Sequence, residues 1–508
     1  MTTEEKACIL AHDLGTTGNK ATLFSIDGAL IASSTREYPT YYPKSGWVEQ
    51  DPEDWWQAVI LSTRELLEKS GTPPKAVACI CFSAQMMGGL IVDEQGFPLH
   101  NMLIWADTRS ARQEAEIIRR VGMEKAYRIT GHRASASYSA AKLMWLRENV
   151  PEAYQKAYKL LNAKDFILHR MTGRFVTDYS DASGTNLMDL NRLEWSEEIM
   201  DALVIPSALL PELHASTDIA GGLTKEAAAA CGLLCGTPVV IGGGDGSCAC
   251  VGAGVVKEGS AYNVLGSSSW ISMASSAPLY DDAMRTFTWV HLNKNLYTPC
   301  GTMQAAGYSY RWFRDSLCPG MQYDAINSLA EASRPGANGT LFLPYLLGER
   351  SPRWDHSARG AYVGLGIATS RGDMARAVME GVALNLKIIL DVLSGACPVD
   401  QVTIIGGGAK GELWLQILAD VWQKPLQCIA NPGEATSMGA AVCGGVGIGA
   451  FEGFHEVSRF TKPNRIFAPN KNNARLYESL SKAFEKAYHG LREADEALQQ
   501  IRAEEVAK

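Results

Sequence analysis

The sequence lacks the features that define several large classes of protein. Its longest apolar stretches, such as 440–451, are rich in glycine and too short to span a bilayer. Basic residues are not in excess, because 47 Lys and Arg are outnumbered by 55 Asp and Glu, for a formal net charge of −8. This balance argues against nucleic acid or an anionic membrane as the main partner, although a local pocket can still bind a small anion.

The cysteines show none of the spacings that indicate a metal site. There are twelve of them, but no Cys-x-x-Cys pair and no Cys/His cluster with zinc spacing occurs. They are scattered through apolar surroundings, which predicts a reduced, cytoplasmic protein without a structural metal. The first residues, 1–6, include two glutamates and lead directly into a strand-like run, so no signal peptide is expected.

Two familiar nucleotide-binding motifs are absent or incomplete. No Gly-Lys-Ser/Thr occurs, which excludes a Walker-type phosphate loop. The segment 406–411 matches Gly-x-Gly-x-x-Gly between a predicted strand and a predicted helix. The acid that a dinucleotide fold places at the end of the next strand is missing, because 425–430 is followed by Asn431. An NAD-dependent dehydrogenase is therefore the weaker interpretation of this motif.

The remaining pattern is that of a large α/β protein. A chain of 508 residues, 46% apolar, is long enough for two or three domains. Residues 8–33 are predicted to form three strands, 55–68 a helix and 76–82 a buried strand. Further helices are predicted at 140–149, 195–204, 305–317, 371–392 and 412–422, and further strands at 261–265 and 402–405. An apolar stripe from Leu476 to Leu491 predicts a tail helix packed on the parent domain, with fraying expected from Arg492.

Glycine-rich turns follow three of the predicted strands, around Gly15, Gly244 and Gly407. Two of these strand ends carry an aspartate, Asp13 and Asp245, and both segments are interpreted as strand, turn and second strand. Backbone N–H groups in such turns suit phosphate oxygens, and the aspartate can hold a divalent cation or take a proton. The repetition predicts a duplicated nucleotide-binding core with a cleft between its halves. The boundary between the two domains is expected between about residues 237 and 257.

These turns resemble the phosphate and adenosine elements of the actin-like ATPase fold, and specifically of the FGGY carbohydrate kinases. The similarity extends from Ile9 to about Phe467. The segments that carry it, in chain order, are 13–17, 83–86, 105–109, 242–245, 266–268, 406–412 and 435–441. The resemblance implies duplicated actin-like ATPase (ribonuclease H-like) α/β domains with an interdomain cleft. It places sugar binding and the first phosphate element in 1–255, ATP binding in 256–467 and a helical tail in 468–508.

The resemblance also implies an activity and its residues. An ATP-dependent kinase using Mg²⁺ would transfer the γ-phosphoryl group to a primary hydroxyl of a sugar, with Asp245 as the catalytic base. Asp13 would orient Mg²⁺, and Thr16 and Thr17 would steady the γ-phosphate. The implied nucleotide contacts are Gly266, Ser267, Gly307, Arg311, Gly408, Ala409 and Glu412. The implied sugar contacts are Gln85, Met86, Met87, Trp105, Asp107 and Asp245, with a local Asp107–Arg109 ion pair as an equal alternative.

Within the family, residues 47–52 and the pair Gln85-Met86 look most like xylulokinases, with gluconokinases near. One departure from the xylulokinase pattern is Met87, where xylulokinases usually have histidine. The thioether of methionine makes an apolar contact in place of the hydrogen bond that an imidazole could form with a sugar hydroxyl. The expected reaction is xylulose to xylulose 5-phosphate, with ribulose, gluconate or a glycerol-like polyol as alternatives. An actin-like ATPase without a sugar substrate and a catalytically idle sugar sensor are the rival classes. The sequence leaves a homodimer open.

Overall fold

The structure is a computed structural model that describes residues 8–506. Its strands are β1 (Cys8–Leu14), β2 (Gly18–Ser25), β3 (Leu30–Glu37), β4 (Glu49–Gln50), β5 (Val77–Ala84), β6 (Leu90–Val92), β7 (Met102–Leu103), β8 (Lys159–Leu161), β9 (Val176–Asp178), β10 (Met188–Asp189), β11 (Glu194–Trp195), β12 (Glu212–His214), β13 (Ile219–Gly222), β14 (Pro238–Gly244), β15 (Ala261–Leu265), β16 (Ser269–Met273), β17 (Phe287–Val290), β18 (Tyr297–Met303), β19 (Leu341–Leu343), β20 (Ala361–Val363), β21 (Val402–Ile405), β22 (Leu426–Ile429) and β23 (Pro463–Phe467).

The helices complete the list of elements. They are α1 (Pro52–Ser70), α2 (Ala111–Val121), α3 (Met123–Thr130), α4 (Ser139–Asn149), α5 (Pro151–Gln155), α6 (Ala163–Thr172), α7 (Tyr179–Ser183), α8 (Glu197–Leu203), α9 (Lys225–Cys231), α10 (Asp245–Gly252), α11 (Gly307–Leu317), α12 (Tyr323–Ala332), α13 (Arg371–Ala396), α14 (Glu412–Trp422), α15 (Ala435–Gly447) and α16 (Ala474–Val506).

The first large sheet has the strand order β13-β14-β5-β1-β2-β3. Strand β1 pairs in parallel with β5 and antiparallel with β2, and β14 pairs in parallel with β5. The central strands β1 and β5 are apolar and buried along most of their length, as expected where helices cover both faces of a sheet. Helices α2–α8 and several two-stranded pairs lie in the chain between β5 and β14.

The second large sheet repeats the first. Its order is β17-β18-β16-β15-β21-β22-β23. Strand β15 is antiparallel to β16 and parallel to β21, β22 is parallel to β21, and β23 is antiparallel to β22. Apart from the extra edge strand β17, every strand matches one of the first sheet in position and direction. The predicted duplicated actin-like architecture is thus confirmed.

The pairing of the repeated segments differs from the prediction. Residues 238–244 form β14, but the chain then enters helix α10 directly and makes no second strand. The counterpart of the turn at 14–18 is the turn at 265–269, and the counterpart of β14–α10 is β22–α15. The prediction was wrong here because glycines after a strand suit a hairpin and a strand-to-helix turn equally. Only the sheet pairing distinguishes the two.

Helices α10 and α15 pack together in a central layer, one from each repeat. Their contact is close because it runs over glycine: a Cβ at Gly252 would lie 1.7 Å from the Ala435 carbonyl oxygen, and one at Gly439 would lie 1.9 Å from the Cys248 oxygen. Helix α15 continues onto the first sheet, where Gly444 faces Cys79 and Cys81. The second repeat therefore contributes a helix to the core of the first.

Most predicted elements lie where expected, and one extends further. The predicted strand 261–265 and helix 412–422 coincide with β15 and α14. Tail helix α16 buries Tyr477, Phe484 and Tyr488 against the second repeat, and it continues to Val506 rather than fraying from Arg492. Between residues 8 and 506, no helix combines the length and apolar character needed to cross a membrane.

Candidate active site

Three parallel strand ends bring the candidate catalytic residues together. In the register of the first sheet, Asp13 lies beside Ser83, and Ser83 lies beside Gly243. Asp245 follows two residues after Gly243, as the first residue of α10. The Ser83 hydroxyl donates to Asp13 Oδ1 over 3.1 Å. The predicted pair Asp13 and Asp245 is therefore on one edge of the sheet, although these residues are separated widely in sequence.

Burial controls the charge of both carboxyl groups. It raises the pKa of Asp13 to about 6, against the smaller opposing effects of Lys20 and Ser83. It raises the pKa of Asp245 to about 7, and the neighbouring negative charge of Asp13 adds to the increase. The backbone N–H of Gly246 donates to Asp245 Oδ1 over 2.7 Å. Such a raised pKa suits a group that must take a proton near neutral pH.

The turn at residues 15–17 is held rigidly by neighbouring side chains. Gln50 Nε2 donates to the Thr16 carbonyl oxygen over 2.6 Å, and the Tyr38 hydroxyl donates to the Gly15 oxygen. Trp105, predicted as a sugar contact, donates from Nε1 to Thr16 Oγ1 over 2.9 Å. Since that bond uses an acceptor position, the Thr16 hydroxyl keeps its own proton to donate to a ligand.

The segment 85–87 follows β5 and contains three of the predicted sugar contacts. Gln85 donates from Nε2 to Gln50 Oε1 over 2.7 Å, while its own Oε1 is buried without a partner in the structure as described. Met86 fits because Gly244 has no side chain, since a Cβ there would lie 2.4 Å from the Met86 sulfur. Met87 has a φ of 65°, in the left-handed region. An unpaired amide oxygen beside two thioethers is a suitable surface for an open-chain sugar.

An aromatic wall from the second repeat faces this segment. Met86 is in one buried cluster with Phe287 and Trp289, and Met87 packs against the same cluster. Trp270 and Trp354 border it. The wall is therefore formed by long-range packing and has no local sequence signal.

Lys142 is a site residue that the sequence analysis missed. It is fully buried in α4, and its Nζ donates to the carbonyl oxygens of Met87 and Ser137 over 2.6 and 2.5 Å. Gly89 makes room for it, because a Cβ there would lie 2.8 Å from Lys142 Cβ. Burial lowers its pKa to about 7. Lys142 thus holds the backbone of Met87, and nothing in its helical sequence context indicates this.

Asp107 forms the local ion pair rather than a sugar contact. It is fully buried and receives hydrogen bonds from Arg109 and from the Val48 backbone N–H at 2.6 Å. Arg109 also lies 2.7 Å from Glu49 and 3.8 Å from the ring centroid of Trp47. Both oxygens of Asp107 are occupied, so its predicted role as a sugar contact is corrected to anchoring the loop that carries Trp105.

A second buried network, also missed, lies behind Asp245. The Lys164 ammonium is 2.9, 3.2 and 3.7 Å from carboxylate oxygens of Asp165, Asp178 and Asp181. Burial opposes the charge of Lys164, but these three carboxylates outweigh it and raise its pKa. This cluster keeps a buried cation paired in the core, as its burial requires.

The cluster reaches both sides of the site through short hydrogen bonds. Asp178 accepts from the Ser180 hydroxyl, which in turn accepts from the Gly244 backbone N–H over 3.0 Å. On the other side, Asn162 donates to Asp181 over 2.8 Å and accepts from the Gly88 N–H over 2.9 Å. The residues just before Asp245 and just after Met87 are therefore held by one network.

The second repeat contains a cavity of about 470 Å³, within the usual range for a small-molecule site. Five of the predicted nucleotide contacts line it, and these are Gly266, Ser267, Gly307, Arg311 and Gly408. Further lining residues missed by the sequence analysis include Tyr310, Tyr323, Asp324, Asn327, Lys410 and Trp414.

Two predicted nucleotide contacts do not line the cavity. Ala409 is buried, and its carbonyl oxygen accepts from Arg465 over 2.6 Å. Glu412 is 75% exposed and lies 3.4 Å from the same arginine. They follow Gly408 in sequence, but the turn at 407–410 directs both toward β23.

The walls of this cavity suit a planar ring with a charged tail. Tyr310 is bonded through its hydroxyl to Asn327 Oδ1 over 2.6 Å, and it stacks on Tyr323 and contacts Trp414. Gly266 and Gly307 also line the cavity and meet closely, since a Cβ on Gly307 would lie 2.5 Å from the Gly266 oxygen. Bare backbone at the end of β15 leaves room for phosphate groups to approach.

Comparison with known proteins decides the family. Residues 8–252 match the model for the N-terminal domain of the FGGY family of carbohydrate kinases, and residues 261–448 match the model for its C-terminal domain. The chain belongs to the FGGY family of carbohydrate kinases. Membership confirms the predicted ATP-dependent carbohydrate kinase activity, and it removes the dehydrogenase and the sugar-free ATPase as alternatives.

Individual relatives of this FGGY kinase align over nearly its whole length. A xylulose kinase of Bacillus subtilis (strain 168) is 33% identical over 97% of this chain and 99% of the relative. A gluconokinase of the same organism is 30% identical over 94% of each chain. The crystal structure of a ligand-bound xylulose kinase from Lactobacillus acidophilus superposes with a TM-score of 0.91 at 27% identity, covering 96% of this chain and 98% of that one.

Proposed function

We propose that this kinase transfers the γ-phosphoryl group of ATP to a primary hydroxyl of a pentulose, foremost xylulose, giving xylulose 5-phosphate and ADP. The observation that carries the proposal is the convergence of Asp13, segment 85–87 and Asp245 at one sheet edge. The similarity to xylulose kinases over nearly the full length supports xylulose as the acceptor.

In the proposed reaction Asp245 takes the proton of the primary hydroxyl as its oxygen bonds to the γ-phosphorus. The bond between that phosphorus and the bridging oxygen of ADP breaks, and ADP leaves with the electron pair. The Thr16 hydroxyl and the backbone at Thr17 would donate to the γ-phosphate. Gln85 Oε1 would accept from a sugar hydroxyl, and Met86 and Met87 would contact the carbon chain.

Asp13 is the residue proposed to hold Mg²⁺. Among the described residues, Ser83 is the one hydrogen-bond donor to its carboxylate, so oxygen lone pairs remain for a cation. No group of three or more His, Cys, Asp or Glu side chains that could together hold a metal ion is found in the described part of the chain. This fits Mg²⁺, which keeps several waters and takes few protein ligands. When bound, the ion would offset the charge of the ATP phosphates.

The nucleotide is proposed to occupy the cavity of the second repeat, with Gly266, Ser267, Gly307, Arg311 and Gly408 near it. The division into 1–255, 256–467 and the tail 468–508 is part of the same proposal. A cytoplasmic location, a homodimer and the absence of a nucleic-acid partner stay predictions from the sequence.

Substitution of Asp245 tests this function. Asp245→Asn keeps the size of the side chain but cannot take the proton, so we expect kcat on xylulose to fall roughly 10²–10⁴-fold with ATP binding retained. The assay is ADP release with xylulose, ribulose, gluconate and glycerol as acceptors. Asp201→Asn, an exposed position on α8, is the matched control. Near-normal turnover by a folded Asp245→Asn protein would remove Asp245 from the mechanism.

A further inference from the structure

The side-chain amide of Gln50 has every one of its hydrogen-bonding positions occupied. Gln50 is fully buried and is the last residue of β4. Its Nε2 donates to the Thr16 carbonyl oxygen over 2.6 Å and to Thr40 Oγ1 over 2.9 Å. Its Oε1 accepts from Trp55 Nε1 over 3.1 Å and from Gln85 Nε2 over 2.7 Å. Because an amide has two protons to donate and two lone pairs, Gln50 is a link between other residues rather than a ligand contact.

These partners fix which way both amides point. A carbonyl oxygen only accepts and an indole N–H only donates, so the Gln50 amide cannot turn over without losing its bonds to Thr16 and Trp55. Gln85 must therefore meet Gln50 Oε1 with its own N–H group. The Oε1 of Gln85 is left buried without a partner in the described structure. Since an unpaired buried oxygen is costly, Gln50 makes Gln85 offer an acceptor to a sugar hydroxyl.

The two ends of this link belong to different halves of the proposed reaction. Thr16 is in the turn proposed to steady the γ-phosphate, whereas Gln85 is a proposed sugar contact. The backbone N–H of Gln85 also donates to the Leu14 carbonyl oxygen over 2.9 Å, directly before that turn. Trp105 reaches the same turn through its bond of 2.9 Å to Thr16 Oγ1. The phosphate turn and the sugar segment are thus held against each other, with Gln50 bonded to both.

A link of this kind makes the two binding events depend on each other. Hydrogen bonds in series polarise and strengthen one another, most of all in a buried site. A sugar that fixes Gln85 would also fix Gln50 and, through it, the carbonyl of Thr16. The nucleotide then meets a turn that is already ordered, and a ligand that orders the turn favours the bound position of Gln85 in return.

We propose that Gln50 is a positioning residue that couples the acceptor to the nucleotide. It aligns Gln85 with the turn at Thr16, so that each ligand raises the affinity of the enzyme for the other. The geometry for transfer to the sugar is completed when both ligands are bound. This inference rests on the proposed function, because it takes Thr16 as a γ-phosphate contact and Gln85 as a sugar contact.

The test measures the coupling directly. Calorimetry gives the Kd of a nonhydrolysable ATP analogue with and without saturating xylulose. In the native enzyme we expect xylulose to tighten the analogue about 5–50-fold, and the analogue to tighten xylulose by the same factor, because coupling is reciprocal. Gln50→Met keeps the length of the side chain without its amide, so this factor should fall below about twofold. Its kcat on xylulose should fall roughly 10–100-fold through lost alignment, with KM changed less than about threefold.

Two further variants separate the link from a general structural effect. Gln113→Met is the matched control, because Gln113 is also a buried amide, and it donates to Glu148 over 2.7 Å. This variant should keep the native coupling. Gln85→Met breaks the link from its other end and carries the test if Gln50→Met does not fold. It should bind xylulose more weakly but also lose the coupling, and the double variant should lose no more than either single one.

The outcomes distinguish this proposal from the proposed function. A folded Gln50→Met enzyme with native coupling and native kcat overturns the proposal and leaves the proposed function standing. A native enzyme that forms xylulose 5-phosphate without any coupling overturns it as well, and so does an equal loss of coupling in Gln113→Met. A native enzyme that phosphorylates none of xylulose, ribulose, gluconate and glycerol overturns the proposed function itself.

Discussion

At the scale of single residues, the proposed base Asp245 determines the pH dependence. A carboxyl group whose pKa burial raises to about 7 is mostly protonated, and so inactive as a base, below that pH. We expect kcat/KM on xylulose to fall as pH is lowered through about 7, and bound Mg²⁺ to shift this fall to lower pH by favouring the carboxylate. The profile is measured from pH 5 to 9, with Asp201→Asn as control. A rate independent of pH in this range would contradict the prediction.

Met87 is the residue expected to tune the choice of sugar. An apolar side chain discriminates weakly between sugars that differ at the facing carbon. Met87→His should shift relative kcat/KM toward D-xylulose by about 1–3 kcal/mol, as one buried hydrogen bond is gained. Histidine tolerates the left-handed backbone that Met87 adopts, so little strain is added.

The measurement uses D-xylulose, L-xylulose, D-ribulose and a deoxy analogue. Met284→His is the matched control, because Met284 also has a positive φ but lies outside the Met86–Met87 cluster. Identical ratios for native and Met87→His enzymes across the panel would show that Met87 packs in the wall without touching the sugar.

At the scale of elements, the contact of α10 with α15 joins the repeats. It depends on glycine, since a Cβ at Gly439 would lie 1.9 Å from backbone oxygen that cannot move aside. Gly439→Val should destabilise the protein by roughly 2–4 kcal/mol through overpacking, with a lower Tm. Because α10 begins with Asp245, kcat should fall as well.

Another helical glycine is the control for that experiment. Gly395 lies near the end of α13, and a Cβ added there would have nothing within 4 Å. Because alanine favours the helix more than glycine does, Gly395→Ala should raise the free energy of unfolding by about 0.5–1 kcal/mol. Equal thermal unfolding curves for native and Gly439→Val proteins would mean that the two helices can separate without cost.

At the scale of the whole molecule, the two repeats should close over their ligands. The proposed acceptor site is on the first sheet and the proposed nucleotide cavity is in the second repeat, so the reaction would require the two sites to approach each other and exclude water. Small-angle scattering should give a smaller radius of gyration with xylulose and a nonhydrolysable ATP analogue than without. Asp245→Asn should close equally, since it binds both ligands. An unchanged profile at saturating ligand would indicate a site already closed.

The sequence by itself determined what depends on local pattern. Strand ends marked by aspartate and glycine located Asp13 and Asp245, and the ordered motifs predicted the family and its duplicated fold. These signals are short-range, because a turn that must leave backbone exposed requires glycine, whatever surrounds it. These local signals did not distinguish a hairpin from a strand-to-helix turn at Gly244, since both kinds of turn begin with glycines after a strand.

The tertiary structure decided everything that depends on which distant segments meet. Lys142 and Lys164 look like ordinary helical lysines, yet packing buries them and makes them hold Met87 and the segment before Asp245. The turn at 407–410 directs Ala409 and Glu412 away from the proposed nucleotide cavity, while α11 and α12 bring Tyr310 and Tyr323 into it. Burial and long-range contact set these roles, and neither is encoded in the spacing of residues along the chain.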